Sequence, residues 1–169
     1  MNRWLRLLKH RWTEVGDLHR TLPPQALERL AQHVQASEQR HSGEIRICIE
    51  AGLPLSYLWR DAPARERAIM MFAKLRVWDT EHDNGVLVYL LLADQAIEIV
   101  ADRGLDRHVP AGEWQSMAQQ MSAAFKAGRF EDGLAAAVDR VDALLLQHFA
   151  LAGGERNPNE LPDQPVIVG

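Results

Sequence analysis

Cysteine is nearly absent from this chain. Cys48 is the one among 169 residues, which excludes an internal disulfide and any zinc centre built from cysteines. No apolar run approaches the ~20 residues that a membrane-spanning helix needs. Positive charge is not in excess either. Lys and Arg number 19 against 23 Asp and Glu, a formal net charge of −4, and bulk electrostatics of that sign disfavours a nucleic-acid partner. The opening MNRWLRLLKHRW has neither the continuous apolar core nor the small-residue cleavage site of a signal peptide. There is no internal repeat. These absences lead to the expectation of a soluble protein in a reducing cytoplasm, with one domain long enough for a sizeable core.

What is present centres on Trp78 to Leu105. Val86 to Ala93 is almost unbroken apolar and rich in β-branched and aromatic residues, which suggests a strand buried on both faces. Asn84-Gly85 before it and Asp94-Gln95 after it are turn punctuation. Ala96 to Ala101 resumes as strand. With Asp94 and Gln95 as a two-residue loop, the strands pair antiparallel, so that Leu87 faces Asp102 and Gly85 faces Gly104. The loops 79–84 and 102–106 then lie side by side.

Upstream, Glu44 to Glu50 alternates: Ile45, Ile47 and Ile49 point one way, and Glu44, Arg46, Cys48 and Glu50 the other. This predicts a strand with one more polar face. Helical spacing recurs four times. A first helix enters at Thr21-Leu22-Pro23-Pro24 and ends near His41-Ser42-Gly43. A second follows Asp61 with Pro63 in its first turn. A third runs from Pro110 to Gly128 with Trp114, Met117, Met121 and Phe125 as its stripe, and a fourth carries Leu134, Ala137, Val141, Leu145 and Phe149. A strand–helix–strand unit in one sheet is right-handed and parallel. The expected fold is therefore a three-layer α/β/α sandwich, a small mixed β-sheet flanked by about four helices. Residues 1–20 read as a basic amphipathic extension, 21–150 as the domain, and 151–169 as a flexible tail. On the extension, Trp4, Leu5, Leu8 and Trp12 share a helical face among Arg3, Arg6, Lys9 and Arg11. That pattern suits either packing on its own domain or weak contact with an anionic membrane surface. The apolar loop 51–60, this arm and the tail are the candidate surfaces for a protein partner.

Several segments together resemble the TPM domain family, also called the TPM phosphatase domain. They are Ser42-Gly43-Glu44-Ile45-Arg46, Thr80, Asn84-Gly85-Val86-Leu87, Asp102-x-Gly104-Leu105, Trp114, Phe125-x-x-Gly128 and Gly133, in family order over roughly Leu22 to Phe149. The resemblance implies a small mixed sheet between helices, a divalent-cation site (usually calcium) in some members and a weak acid phosphatase activity in others. Many members carry a signal peptide, a membrane span and a glycine-rich tail, and without these the chain looks like a stand-alone cytoplasmic branch. It departs where many members have Gly-x-Gly-Leu-Glu, with Asp102-Arg103-Gly104-Leu105-Asp106 instead.

From the residues themselves, hard cations take several oxygen ligands, and loop carboxylates with carbonyls can supply them. Asp79, Asp83, Asp102 and Asp106 are the candidate metal ligands, with Glu44 and Glu81 at the same edge. The run Asp79 to Gly85 echoes a calcium loop but is not an EF-hand: its glycine falls one place late, and Leu90 stands where the bidentate acid belongs. The rule that α/β folds bind ligands at the carboxyl ends of parallel strands points instead to the Glu50–Asp94 edge. Phosphatase chemistry needs an activated nucleophile or a metal-bound hydroxide. Cys48 lacks a downstream arginine loop, Arg40-His41-Ser42-Gly43 only imitates a histidine phosphatase motif, and no Asp-x-Asp or P-loop is present. His82 and His108 lie nearest the acids. No catalytic residue is assigned. The expectation is a calcium- or partner-binding module, with a weak metal-dependent acid phosphatase as the alternative.

Overall fold

Every residue of Gly85–Leu91 is buried, so this segment, β2, forms the middle of the sheet. The computed structural model describes residues 3–13, 15–110 and 112–169. Ahead of β2 come α1 (Arg3–Trp12), α2 (Val15–Thr21), α3 (Pro24–Glu38), β1 (Glu44–Glu50), α4 (Leu55–Trp59) and α5 (Ala64–Lys74). After it come β3 (Ala96–Ala101), α6 (Arg103–Asp106), α7 (Glu113–Lys126), α8 (Phe130–Phe149) and β4 (Val166–Val168). The strand order is β3-β2-β1-β4. β1 runs parallel to β2 and to β4, and β2 is antiparallel to β3. The architecture is the expected α/β/α sandwich around a mixed sheet.

Alternation along the strands divides the core in two. Ile45, Ile47, Ile49, Val86, Val88, Leu90, Ile97 and Ile99 face α3, α7 and α8, where Leu30, Val34, Met121, Phe125, Leu134 and Val141 meet them. Cys48, Leu87, Tyr89, Leu91 and Val100 face α5, with Ala68 and Met71, and the α4 segment with Leu58. The side of β1 expected to be the more polar is thus inside as well, and Glu44 and Glu50 are buried there.

The hairpin differs from the expected register. Leu91 pairs with Ala96 and Leu87 with Val100, so the connection is the four residues Leu92 to Gln95 rather than two. Gln95 takes a left-handed φ of 50° within it. Three other expectations are corrected. Pro63 stands at the N-cap of α5 rather than in its first turn, with Pro23 at that of α3. Residues 51–60 contain a helix, α4. The segment after 151 is not a loose end: Val166 pairs with Cys48 and Val168 with Glu50, placing β4 on the open edge of β1. Leu161 is buried, and Arg46 holds the segment by donating to the carbonyls of Pro162 and Gln164.

Candidate functional site at the amino edge of the parallel strands

Parallel pairing sets the start of β1 beside the start of β2, with Glu44 opposite Gly85. The antiparallel hairpin returns Asp102 to the same place, where its N–H donates to the Gly85 carbonyl at 2.9 Å. Two glycines allow the loops to close. A Cβ on Gly85 would lie 1.9 Å from the Val77 carbonyl oxygen. One on Gly104 would lie 2.4 Å from that of Asp83 and 2.5 Å from that of His82. The Gly104 N–H donates to the Asp83 carbonyl at 2.7 Å, so loops 79–84 and 102–106 touch through their backbones.

This edge has more acceptors than donors. Asp102 caps α6, its Oδ1 accepting from Arg103 N–H at 2.7 Å, while its buried Oδ2 has no hydrogen-bond partner. Asn84 receives nothing on its buried Oδ1, although its Nδ2 donates to Ser42 Oγ at 3.2 Å and its N–H donates to Thr80 Oγ1 at 3.1 Å. Glu44 accepts from Leu161 N–H at 3.0 Å and Glu38 from Ile45 N–H at 2.7 Å, each through one oxygen, which leaves Glu44 Oε1 and Glu38 Oε2 unpaired. Burial, with the Glu44 charge beside it, pushes the Glu38 carboxyl up to about 9, and burial raises Glu44 too. Among the described residues one other buried side-chain oxygen lacks a hydrogen-bond partner, Asp142 Oδ1, which lies 3.3 Å from His41 Nε2. Returning chain covers this edge: Asn157 Nδ2 donates to the His41 and Gly43 carbonyls, and Glu160 accepts from Glu81 N–H. A cleft of about 590 Å³ opens beside it, lined in part by Ser42, His82, Phe149 and Arg156.

Of the four aspartates expected as ligands, Asp83 and Asp102 flank the backbone contact between the two loops. Asp83 is half-buried with a left-handed φ of 51°, and its backbone locks to Gly104, two residues from Asp102. Asp79 is turned to Arg76 in an exposed ion pair, and Asp106 accepts from Trp114 Nε1 at 2.9 Å. No three His, Cys, Asp or Glu side chains among the described residues are grouped so as to hold a metal ion. His108 stacks on His148 with ring centroids 4.6 Å apart. The sequence pattern marks Asn84 as a turn residue, through the Asn-Gly pair that precedes a buried strand. The contributions of Glu38, Asn157 and Glu160 depend on distant chain segments, which no local pattern could reveal.

The opposite edge is balanced. Glu50 is buried, but Arg67 donates to both its oxygens and Tyr89 donates through its hydroxyl at 2.5 Å. Burial and the neighbouring Glu50 charge raise the Tyr89 hydroxyl far above its ordinary value. Burial pushes the Cys48 thiol up to about 12, so it is no nucleophile near neutral pH.

These features define a small α/β/α domain whose polar irregularity is gathered where its parallel strands begin. The TPM domain model matches residues 15–144, and the chain belongs to that family. No curated protein matches it. Among solved structures it is similar to the BA42 protein of the psychrophilic bacterium Bizionia argentinensis, at 24% identity and a TM-score of 0.73, over 86% of this chain and 94% of that one. It is also similar to the N-terminal domain of a protein from P. gingivalis, at 21% identity and a TM-score of 0.60, over 78% and 83% of the two chains. At these identities the two structures speak for the fold.

Proposed function

We propose that this TPM domain is a divalent-cation-binding module that takes calcium at the amino edge of β1 and β2. The observation that carries the reading is the pair of buried acceptor oxygens left without a donor there, Asp102 Oδ2 and Asn84 Oδ1. Buried polar atoms are almost always paired, and a hard cation relieves several unpaired oxygens at once. Asp102 Oδ2 and Asn84 Oδ1 are the side-chain donors that fit, with loop carbonyls and water completing the shell. Asp83 adds negative charge beside them, and Asp79 and Asp106 act at longer range. A site with so few carboxylates belongs to the weak end of the calcium range, roughly 10⁻⁴–10⁻³ M.

Calcium titration of the full chain, followed by amide NMR shifts, tests this. Saturable shifts confined to residues 79–85 and 102–106 are expected, and Asp102→Asn should weaken them at least about tenfold while leaving the spectrum folded. Absence of shifts at millimolar calcium sinks the proposal. The phosphatase alternative would use the same carboxylates. Calcium-dependent turnover of a generic phosphate ester, lost in Asp102→Asn, would favour it over a binding module.

A further inference from the structure

The α1 helix is fastened to the domain by polar groups, and its aromatic face lies exposed beside α4. Arg6 donates to Asp94 Oδ2 at 2.9 Å, to Asp61 Oδ1 at 2.7 Å and to the Ala62 carbonyl at 2.9 Å. His10 is buried and bridges Asp94 Oδ1, at 2.8 Å, to the Leu53 N–H, at 2.9 Å. Leu7 packs against the α5-side core. Trp4, Leu5, Leu8 and Trp12 are left at the surface, each at least half exposed, and α4 adds Leu55 and Trp59, each about two-thirds exposed. Between the two helices runs a groove of about 740 Å³, lined almost wholly by apolar side chains with Arg11 and Arg60 at its rim.

Charge says what this face meets. Residues 3–12 contain Arg3, Arg6, Lys9 and Arg11 and no acid, although the whole chain is at −4. With Arg6 engaged inward, Lys9 and Arg11 stand exposed beside the tryptophans. Cationic side chains next to exposed Trp and Leu on a short helix are the composition of an interfacial membrane contact. Indole rings favour the headgroup level, and Lys and Arg are drawn to anionic lipid. A symmetric contact between two copies would instead gather both sets of these cations into one interface, with no acid on α1 to offset them. We propose that the α1–α4 face docks reversibly on an anionic lipid surface, inserting Trp4, Trp12 and Trp59 while the body of the domain stays in water.

The test uses the full chain with phosphatidylcholine vesicles, with and without phosphatidylglycerol. Flotation should show binding at least about tenfold tighter to the anionic vesicles, weakening as salt screens the cations. Brominated acyl chains should quench the tryptophan fluorescence of the unmodified chain, a readout that needs no variant. Trp4→Ser combined with Trp59→Ser should abolish flotation, and Lys9→Glu with Arg11→Glu should remove the preference for anionic lipid. The proposal is overturned by a lack of flotation and quenching, or by equal binding in both variants. It is also overturned if the face serves a protein: self-association lost in Trp4→Ser/Trp59→Ser, or capture of an acidic amphipathic helical peptide, with vesicles ignored.

Discussion

Gly104 shows how much of the candidate site depends on one missing atom. Its backbone lies under the His82 and Asp83 carbonyls at a distance that a Cβ cannot share, and those atoms are main chain, so no rotamer change makes room. Gly104→Ala must therefore push loop 79–84 off loop 102–106 or break the 2.7 Å bond from Gly104 N–H to Asp83. Steric insertions of this kind cost about 1–3 kcal/mol. Urea unfolding should place Gly104→Ala about 2 kcal/mol below the unmodified chain. Gly16→Ala is the control, since a Cβ there meets nothing within 4 Å. A loss in Gly104→Ala no larger than in the control would show that the two loops are not held together as described. Asp83, which keeps a left-handed φ beside this contact, is of a residue type that enters that region more readily than most.

At the scale of elements, Asp94 is the residue to remove. Burial alone would raise its carboxyl, but hydrogen bonds from His10 and Arg6 outweigh that and hold it below the usual range. One carboxylate thus ties α1 to the loop between β2 and β3. Asp94→Ala should free α1 without melting the sheet, so hydrogen exchange should lose protection in residues 3–12 while β1 and β2 keep theirs. Uniform loss across the chain, or none, would contradict a local clamp. Hydrophobic periodicity could not have found this arrangement. Periodicity sets Trp4, Leu5, Leu8 and Trp12 on one face, suited either to packing on the domain or to contact with a membrane surface, whereas the buried side of α1 is Arg6, Leu7 and His10, and the hydrogen-bond partners of Arg6 and His10 lie 43 or more residues away. The hairpin was legible for the opposite reason: its signal is local, apolar residues between turn residues. Its register differs by two places from that of a two-residue loop because the connection is four residues long. A shift of two preserves the faces of a strand, so Val86, Val88 and Leu90 still face the helices expected to cover them.

For the whole molecule, the layers could be read from the order of helices and strands, but the return of the chain after α8 could not. A three-residue Val-Ile-Val strand has no periodicity to detect, and its partner β1 lies more than a hundred residues earlier. That return seals Glu38 and Glu44 inside, and it makes global stability depend on pH. Glu38 titrates near 4.5 when unfolded and near 9 when folded. Its pKa is raised by folding, so its favourable contribution is full below about pH 4.5 and is lost as pH rises toward 9, where the native state must ionise a buried acid. Across that window the folded chain binds more protons than the unfolded one, so unfolding free energy falls with pH, by at most about 1.4 kcal/mol per unit from this group. His41 acts in the other direction: burial lowers its pKa, so its contribution is present above about 6.5 and lost as pH falls through its folded value. Between pH 7 and 9 the Glu38 effect should therefore stand alone of the two. Urea unfolding over that range should show declining stability in the unmodified chain and a flatter profile in Glu38→Gln, which keeps an acceptor for Ile45 N–H but has no proton to lose. An equal decline in both would mean that Glu38 is not the buried acid that sets the alkaline limit.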